Sequence, residues 1–185
     1  MVNLIGADLK EMESAVAAAG EPRYRARQIY AGIYRRFHTS WDQFTDLAKP
    51  LRKTLSENFS LGHPAIQQVF VSEDGTRRYL FAVDGENRIE SVYIPEERRD
   101  TFCISTQVGC AVGCLFCVTG KLAMRRNLSV GEIVGQVLAM QADRGASLKR
   151  LNIVIMGMGE PFHNYESVMR ALRLMTDERG MSISP

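Results

Sequence analysis

The run Cys110-Ala111-Val112-Gly113-Cys114-Leu115-Phe116-Cys117 constrains this chain more than any other stretch. Its CxxxCxxC spacing puts three thiols on one short loop. All four cysteines lie within fifteen residues, Cys103 to Cys117, and the other 170 residues have none. So tight a cluster implies a shared chemical task. Iron–sulfur clusters are held by cysteine thiolates, usually four of them. Three on one loop would leave one iron of a four-iron cubane open to a small molecule. Structural zinc prefers four ligands, often as two CxxC pairs. No second pair exists, and Cys103, the fourth possible ligand, sits on a preceding β-like run, Thr101 to Ser105. The spacing therefore favours an iron–sulfur cluster, with zinc and metal-free thiols as the alternatives.

Whole-chain properties narrow the class. The 185 residues are 45% apolar, enough for a packed core, and the net charge of +2 points to no particular partner. Nucleic-acid binding would need a local patch. No apolar run approaches the length of a transmembrane helix, and the first residues lack a secretory pattern. A cytoplasmic protein is the expectation, and there clustered cysteines bind metal or do redox chemistry more often than they form disulfides.

Taken in order, residues 4–19 read as a helix ending at Gly20. Residues 23–36 read as a second, with Ile29, Ile33 and Phe37 on one face and Tyr30 and Tyr34 beside it. Ser40 is expected to cap a third helix, and residues 51–59 a fourth. Arg23, Arg25, Arg27, Arg35 and Arg36, interleaved with Tyr24, Tyr30 and Tyr34, suggest phosphate binding and base stacking, or a solvated face over buried tyrosines. From residue 65 the period changes to two. Strands near 66–71, 77–83 and 88–94 are punctuated by turns at Asp74-Gly75 and Asp84-Gly85, and the last stops at Pro95.

A βα alternation follows. A strand over 101–106 enters the cysteine loop, and Ser129 with Glu132 forms a capping box for a helix to about Arg144. Residues 151–156 read as a buried parallel strand, Asn164 caps a helix stopped by Gly180, and 181–185 begins another strand. The division is therefore a helical domain at 1–62, a β-meander linker at 63–98 and the start of an α/β core at 99–185. Two βα units cannot close a barrel, so the sequence is expected to be the N-terminal part of a longer protein. Gly157-Met158-Gly159-Glu160-Pro161 sits at the carboxyl end of the second parallel strand, where α/β folds gather ligands. Its glycines let backbone approach a ligand, and Glu160 can accept a bond from an ammonium.

The run Phe102 to Cys117, with Arg125-Arg126-Asn127-Leu128-Ser129 and the glycine motif, resembles the radical S-adenosylmethionine (SAM) RNA adenine methyltransferases of RlmN type. The likeness extends to Gly20 through Ile29 and to the hairpins at Asp74 to Tyr79 and Glu90 to Pro95. It implies a partial (β/α)6 radical-SAM barrel, truncated here, behind an RNA-binding helical domain. It implies methylation of adenine carbon 2 in the peptidyl-transferase region of 23S rRNA and in the tRNA anticodon loop. It also implies a 4Fe-4S cluster and SAM as cofactors, a flavodoxin- or ferredoxin-like electron donor, no membrane, and a monomer.

In this resemblance Cys110, Cys114 and Cys117 match the cluster ligands, with Phe116 packing on cluster or SAM. Gly159 and Glu160 match SAM-binding positions, and Glu90 matches the proton acceptor. Cys103 matches the thiol that releases the protein–RNA adduct by pairing with a second, methyl-carrying cysteine. Nothing in the sequence matches that second cysteine. Two alternatives stand beside this reading: the sister family that methylates adenine carbon 8, and a zinc-stabilised RNA-binding module without catalysis.

Overall fold

The computed structural model describes residues 1–145 and 150–184. Its first sixty residues are clasped at both ends, because Val2–Asn3 (β1) pairs in parallel with Phe59–Ser60 (β2). The first helix, Leu9–Ala18 (α1), starts later than the apolar spacing predicts. Asp8 caps it, accepting from Glu11 N at 2.8 Å, while the Glu11 carboxylate accepts from Asp8 N at 3.0 Å. That reciprocal pair satisfies two orphan donors, so the chain turns rather than coils before residue 8. The second helix is Tyr24–Tyr34 (α2). Phe37 lies beyond it with φ 56°, so it does not extend the Ile29–Ile33 face. The Ser40 box caps only a 3-10 turn, Trp41–Gln43, before the helix Lys49–Asn58 (α3).

Met12, Val16, Ile29, Ile33, Phe44 and Leu55 form the module's core. Tyr30 and Tyr34 belong to it as well. The Tyr30 hydroxyl donates to Asp177 at 2.9 Å; the Tyr34 hydroxyl accepts from Gly6 N at 2.9 Å and donates to Ala7 O at 3.0 Å. Burial pushes both phenols well above their usual range. Neither ring can stack on a base, which corrects that part of the sequence reading; of the three tyrosines only Tyr24 is exposed.

Ala65–Val71 (β3), Arg77–Ala82 (β4) and Arg88–Pro95 (β5) form the expected antiparallel meander. The next strand, Arg99–Cys103 (β6), pairs antiparallel with β5, and Pro95 lies opposite Asp100 at the end of the ladder. After the helix Val130–Arg144 (α4), Arg150–Val154 (β9) pairs parallel to β6. The meander and the βα unit thus share one sheet, ordered β3-β4-β5-β6-β9. Gln107–Val108 (β7) and Arg126–Asn127 (β8) form a separate antiparallel pair.

β9 is half-buried along most of its length rather than buried, because it is the outer strand and has a neighbour on one side only among the described residues. Tyr165–Thr176 (α5) packs on α4 and ends before Gly180. Gly180 instead fits against Tyr30 and Tyr34, where a side-chain carbon would lie 3.1 Å from Tyr34 Cβ. Met181 to Ser184 form no strand, and residue 185 lies outside the described residues. No helix among the described residues is long and apolar enough to cross a membrane.

Candidate functional site

Residues directly opposed across a ladder project to the same side of a sheet. Tyr79 faces Ser91, Phe81 faces Ile89, and Tyr93 faces Phe102. These six are all buried, and they form the packed side. On the other side Arg78 faces Val92, Val92 faces Cys103, and Cys103 faces Val154. Glu90 stands two residues from Val92 on that same side. Its carboxylate accepts from Arg78 Nη1 at 2.6 Å, with the side chains 47% and 41% exposed. Cys103 is half-buried. Burial pushes its thiol up, and the Met156 backbone N–H only partly offsets this.

A buried polar network fixes the carboxyl end of β6. The Gln136 side chain accepts from Ser91 Oγ at 2.7 Å and Ser105 N at 2.8 Å, and donates to Ser105 O at 3.0 Å. Ser105 Oγ donates to Glu90 O at 2.6 Å and accepts from Met158 N at 2.8 Å. One side chain on α4 therefore ties β5, the end of β6 and the glycine turn together. Sequence reasoning passed over Ser91, Ser105 and Gln136. The available signal was Gln136 itself, a lone amide amid the apolar run Ile133 to Met140.

The glycine motif is packed against this strand end. A side-chain carbon at Gly157 would lie 2.7 Å from Ile104 O, and one at Gly159 would lie 2.6 Å from Gln107 Cβ. Gly159 also has φ 103°, which strains any other residue. Glu160 N donates to Gln107 Oε1 at 2.9 Å, and Glu160 Oε1 accepts from Phe162 N at 3.0 Å. One Glu160 oxygen thus holds the turn in shape, and the other has no partner among the described residues. Asn164 occupies the cap position of α5 without capping it. Its amide donates instead to Thr106 O at 2.9 Å and Leu128 O at 2.8 Å.

The cysteine loop leaves and returns through β7 and β8, which close its base. Arg126 anchors the return. It reaches Glu132 at 2.7 Å in the first turn of α4 and Asp84 at 2.8 Å in a hairpin turn. Burial alone would raise the Glu132 carboxyl, but Arg126 and Ser129 hold it below its usual value. Cys110, Cys114 and Cys117 are free and half-buried, while Leu115 and Phe116 are 97% and 91% exposed. Cys117 N donates to Cys114 O at 3.1 Å. The backbone N–H groups of Gly120 and Thr119 bring the Cys117 thiol below its ordinary range.

Among the described residues no three His, Cys, Asp or Glu side chains stand close enough together to hold a metal ion. The donor chemistry nonetheless fits a soft metal centre: three thiols on one loop, with backbone N–H groups already favouring a thiolate at Cys117.

The whole fold matches a radical SAM methyltransferase from Sphaerobacter thermophilus, seen in a crystal structure. The TM-score is 0.91 at 43% identity, covering 100% of this chain and 55% of that one. The fold is therefore that of a radical SAM methyltransferase. Residues 2–61 match the family model described as the ribosomal RNA large subunit methyltransferase N-terminal domain. Dual-specificity RNA methyltransferases RlmN from Geobacter sulfurreducens and Solidesulfovibrio magneticus are 46% and 42% identical, each across 100% of this chain. The chain belongs to this RlmN family. It spans about half the length of the curated relatives it matches, 50% and 53% of these two.

Proposed function

We propose that this chain is the substrate-docking and cofactor-loading half of a radical-SAM RNA methyltransferase acting on adenine carbon 2 of 23S rRNA and of the tRNA anticodon loop. In this reading residues 1–62 bind RNA, 63–98 form a connecting meander, and 99–185 begin the radical-SAM core. Cys110, Cys114 and Cys117 would hold a 4Fe-4S cluster. Bound there with SAM and reduced by a flavodoxin- or ferredoxin-like donor, the cluster supplies one-electron cleavage of a carbon–sulfur bond. One observation carries the proposal: the strand bearing Cys103 runs straight into the loop of three thiols, on the sheet side that also bears Glu90.

The chain's own groups then have distinct tasks. Gly159 gives the backbone its close turn, and the unpartnered Glu160 oxygen is available to an ammonium such as that of SAM. Glu90 is a half-exposed carboxylate that can take the proton from the ring carbon. Arg78 holds it at the sheet surface. Cys103 begins as a thiol, because burial disfavours its thiolate. Once deprotonated, it attacks the sulfur of a second cysteine bonded to the base through a methylene carbon. A sulfur–sulfur bond forms and the sulfur–carbon bond breaks. The electron pair leaves on carbon, which is protonated to the methyl group. The second cysteine is not among this chain's four.

Anaerobic reconstitution with iron and sulfide should give 4Fe-4S absorption and, on reduction, an EPR signal, both lost in Cys114→Ala. One zinc and no iron in protein purified anaerobically would overturn the reading in favour of a zinc module. Mass-spectrometric mapping of RNA modified by a longer protein containing this sequence separates carbon 2 from carbon 8.

A further inference from the structure

The module's arginine helix is largely committed to its own protein. Arg36 pairs with Asp46 at 3.1 Å, Arg27 with Glu13 at 4.0 Å, and Arg25 donates to Gln28 at 2.8 Å. The third helix differs. Lys49 and Lys53, one helical turn apart on α3, are exposed and have no carboxylate partner among the described residues. They stand with Arg52 along a cleft of about 830 Å³, lined also by Thr39, Ser40, Trp41 and Ser56. Arg52 spends one guanidinium nitrogen on Asp42 O at 2.7 Å and is half-buried in the cleft wall. Three cations and several hydroxyls are the complement of phosphodiester oxygens. Asp42 is the one acidic residue in the lining.

Gly62, in the cleft wall, accepts from Asn3 Nδ2 at 2.7 Å. That same nitrogen would lie 3.8 Å from a side-chain carbon at Gly131, in the first turn of α4. The first turn of α4 follows the cysteine loop and β8, at the carboxyl end of β6.

We propose that the cleft between α3 and the Trp41 turn, not the arginine face of α2, is the module's RNA-backbone site, with Lys49, Arg52 and Lys53 as phosphate contacts. This rests on the RNA reading above. The test measures binding of a fluorescein-labelled RNA stem-loop to the whole 185-residue chain across a salt series. Lys49→Ala/Lys53→Ala should weaken binding about tenfold near 100 mM salt and make the slope of log affinity against log salt shallower by roughly 1 per lysine, whatever the loop sequence. Arg23→Ala/Arg35→Ala should change affinity less than about twofold on the same argument. Both pairs are exposed, so unchanged circular dichroism and melting confirm folding. The reverse pattern, with the α2 pair weakening binding and the α3 pair silent, would overturn the cleft and leave the RNA reading intact. No RNA binding by the unaltered chain, or binding only to an acidic protein such as a flavodoxin, would overturn both. The cluster claim is read separately by absorption and EPR.

Discussion

The two sides of the five-stranded sheet are built from the same strands, yet they obey different rules. On one side Tyr79, Phe81, Ile89, Tyr93 and Phe102 are all at or below 4% exposure. The two hydroxyls among them are both satisfied: Tyr79 donates to Asp143 at 2.7 Å, 64 residues on, and Tyr93 to the nearby Asp100 at 2.8 Å. On the other side Arg78, Glu90 and Ile94 are exposed or half-exposed, and Cys103 is half-buried, its thiol met by the Met156 backbone N–H. The packed side sets the backbone. The open side spends that rigidity on groups held in place without being consumed by the fold. Substitutions on the first should therefore register as stability, and substitutions on the second as chemistry.

The largest effect is expected at Phe102, which is fully buried and stacks edge-on against Tyr93 at 5.9 Å between ring centres. Phe102→Ala removes a whole ring from a fully buried site, and should lower unfolding free energy by about 3–5 kcal/mol in chemical denaturation. A cost near zero would mean that the packed side does not set the sheet. Gln136→Leu comes next. It leaves Ser105 N–H and the Ser91 hydroxyl buried without their acceptor. Each orphaned group costs about 1–3 kcal/mol, so a loss of about 2–3 kcal/mol is expected after partial relaxation. Hydrogen exchange at Met158 should rise with it, because Ser105 Oγ holds that N–H.

What the sequence showed and what it hid divides along range of interaction. The cysteine loop, the Ser129–Glu132 box and the turns at Asp74 and Asp84 were legible, because each is specified within a few residues. The Asp8–Glu11 box was equally local, and apolar spacing from Leu4 masked it. Tyr30 and Tyr34 misled because their partners lie far away; Asp177 is 147 residues from Tyr30. The glycine motif had a second purpose invisible in sequence: Gly157 and Gly159 are glycines because Ile104, Ser105 and Gln107 leave no room for a Cβ. Gln136 was hidden for the same reason, since its partners lie 31 and 45 residues upstream.

The open side predicts smaller effects. In a chain carrying Cys110→Ala, Cys114→Ala and Cys117→Ala, Cys103 is the sole thiol, and its alkylation by iodoacetamide reports its ionisation directly. Burial raises the folded value, so the rate midpoint should lie above that of a short unfolded peptide with the same sequence. The sign for stability follows. Cys103 ionises at lower pH in the unfolded chain than in the folded one. Its contribution is complete below the unfolded value and is lost as pH rises through the folded value. The stability difference from the corresponding Cys103→Ala chain should therefore be flat at neutral pH and decline in alkali. A midpoint below the peptide's would show that a neighbouring cation, not burial, governs this thiol.

Glu90→Gln should have the smallest effect on folding. The Arg78–Glu90 pair is short but more than two-fifths exposed on both partners, and such pairs contribute about 0–1 kcal/mol. The main-chain oxygen of Glu90, which accepts from Ser105, is untouched by the change. Denaturation midpoints should agree within about 0.5 kcal/mol. If Glu90 is a proton acceptor, the same substitution in a longer catalytically competent protein should slow methyl transfer by about 100-fold or more. A solvent-facing strand carboxylate with no further task would leave both measurements unchanged. A loss of stability comparable to Phe102→Ala would erase the distinction between the two sides, because it would make Glu90 part of what holds the sheet.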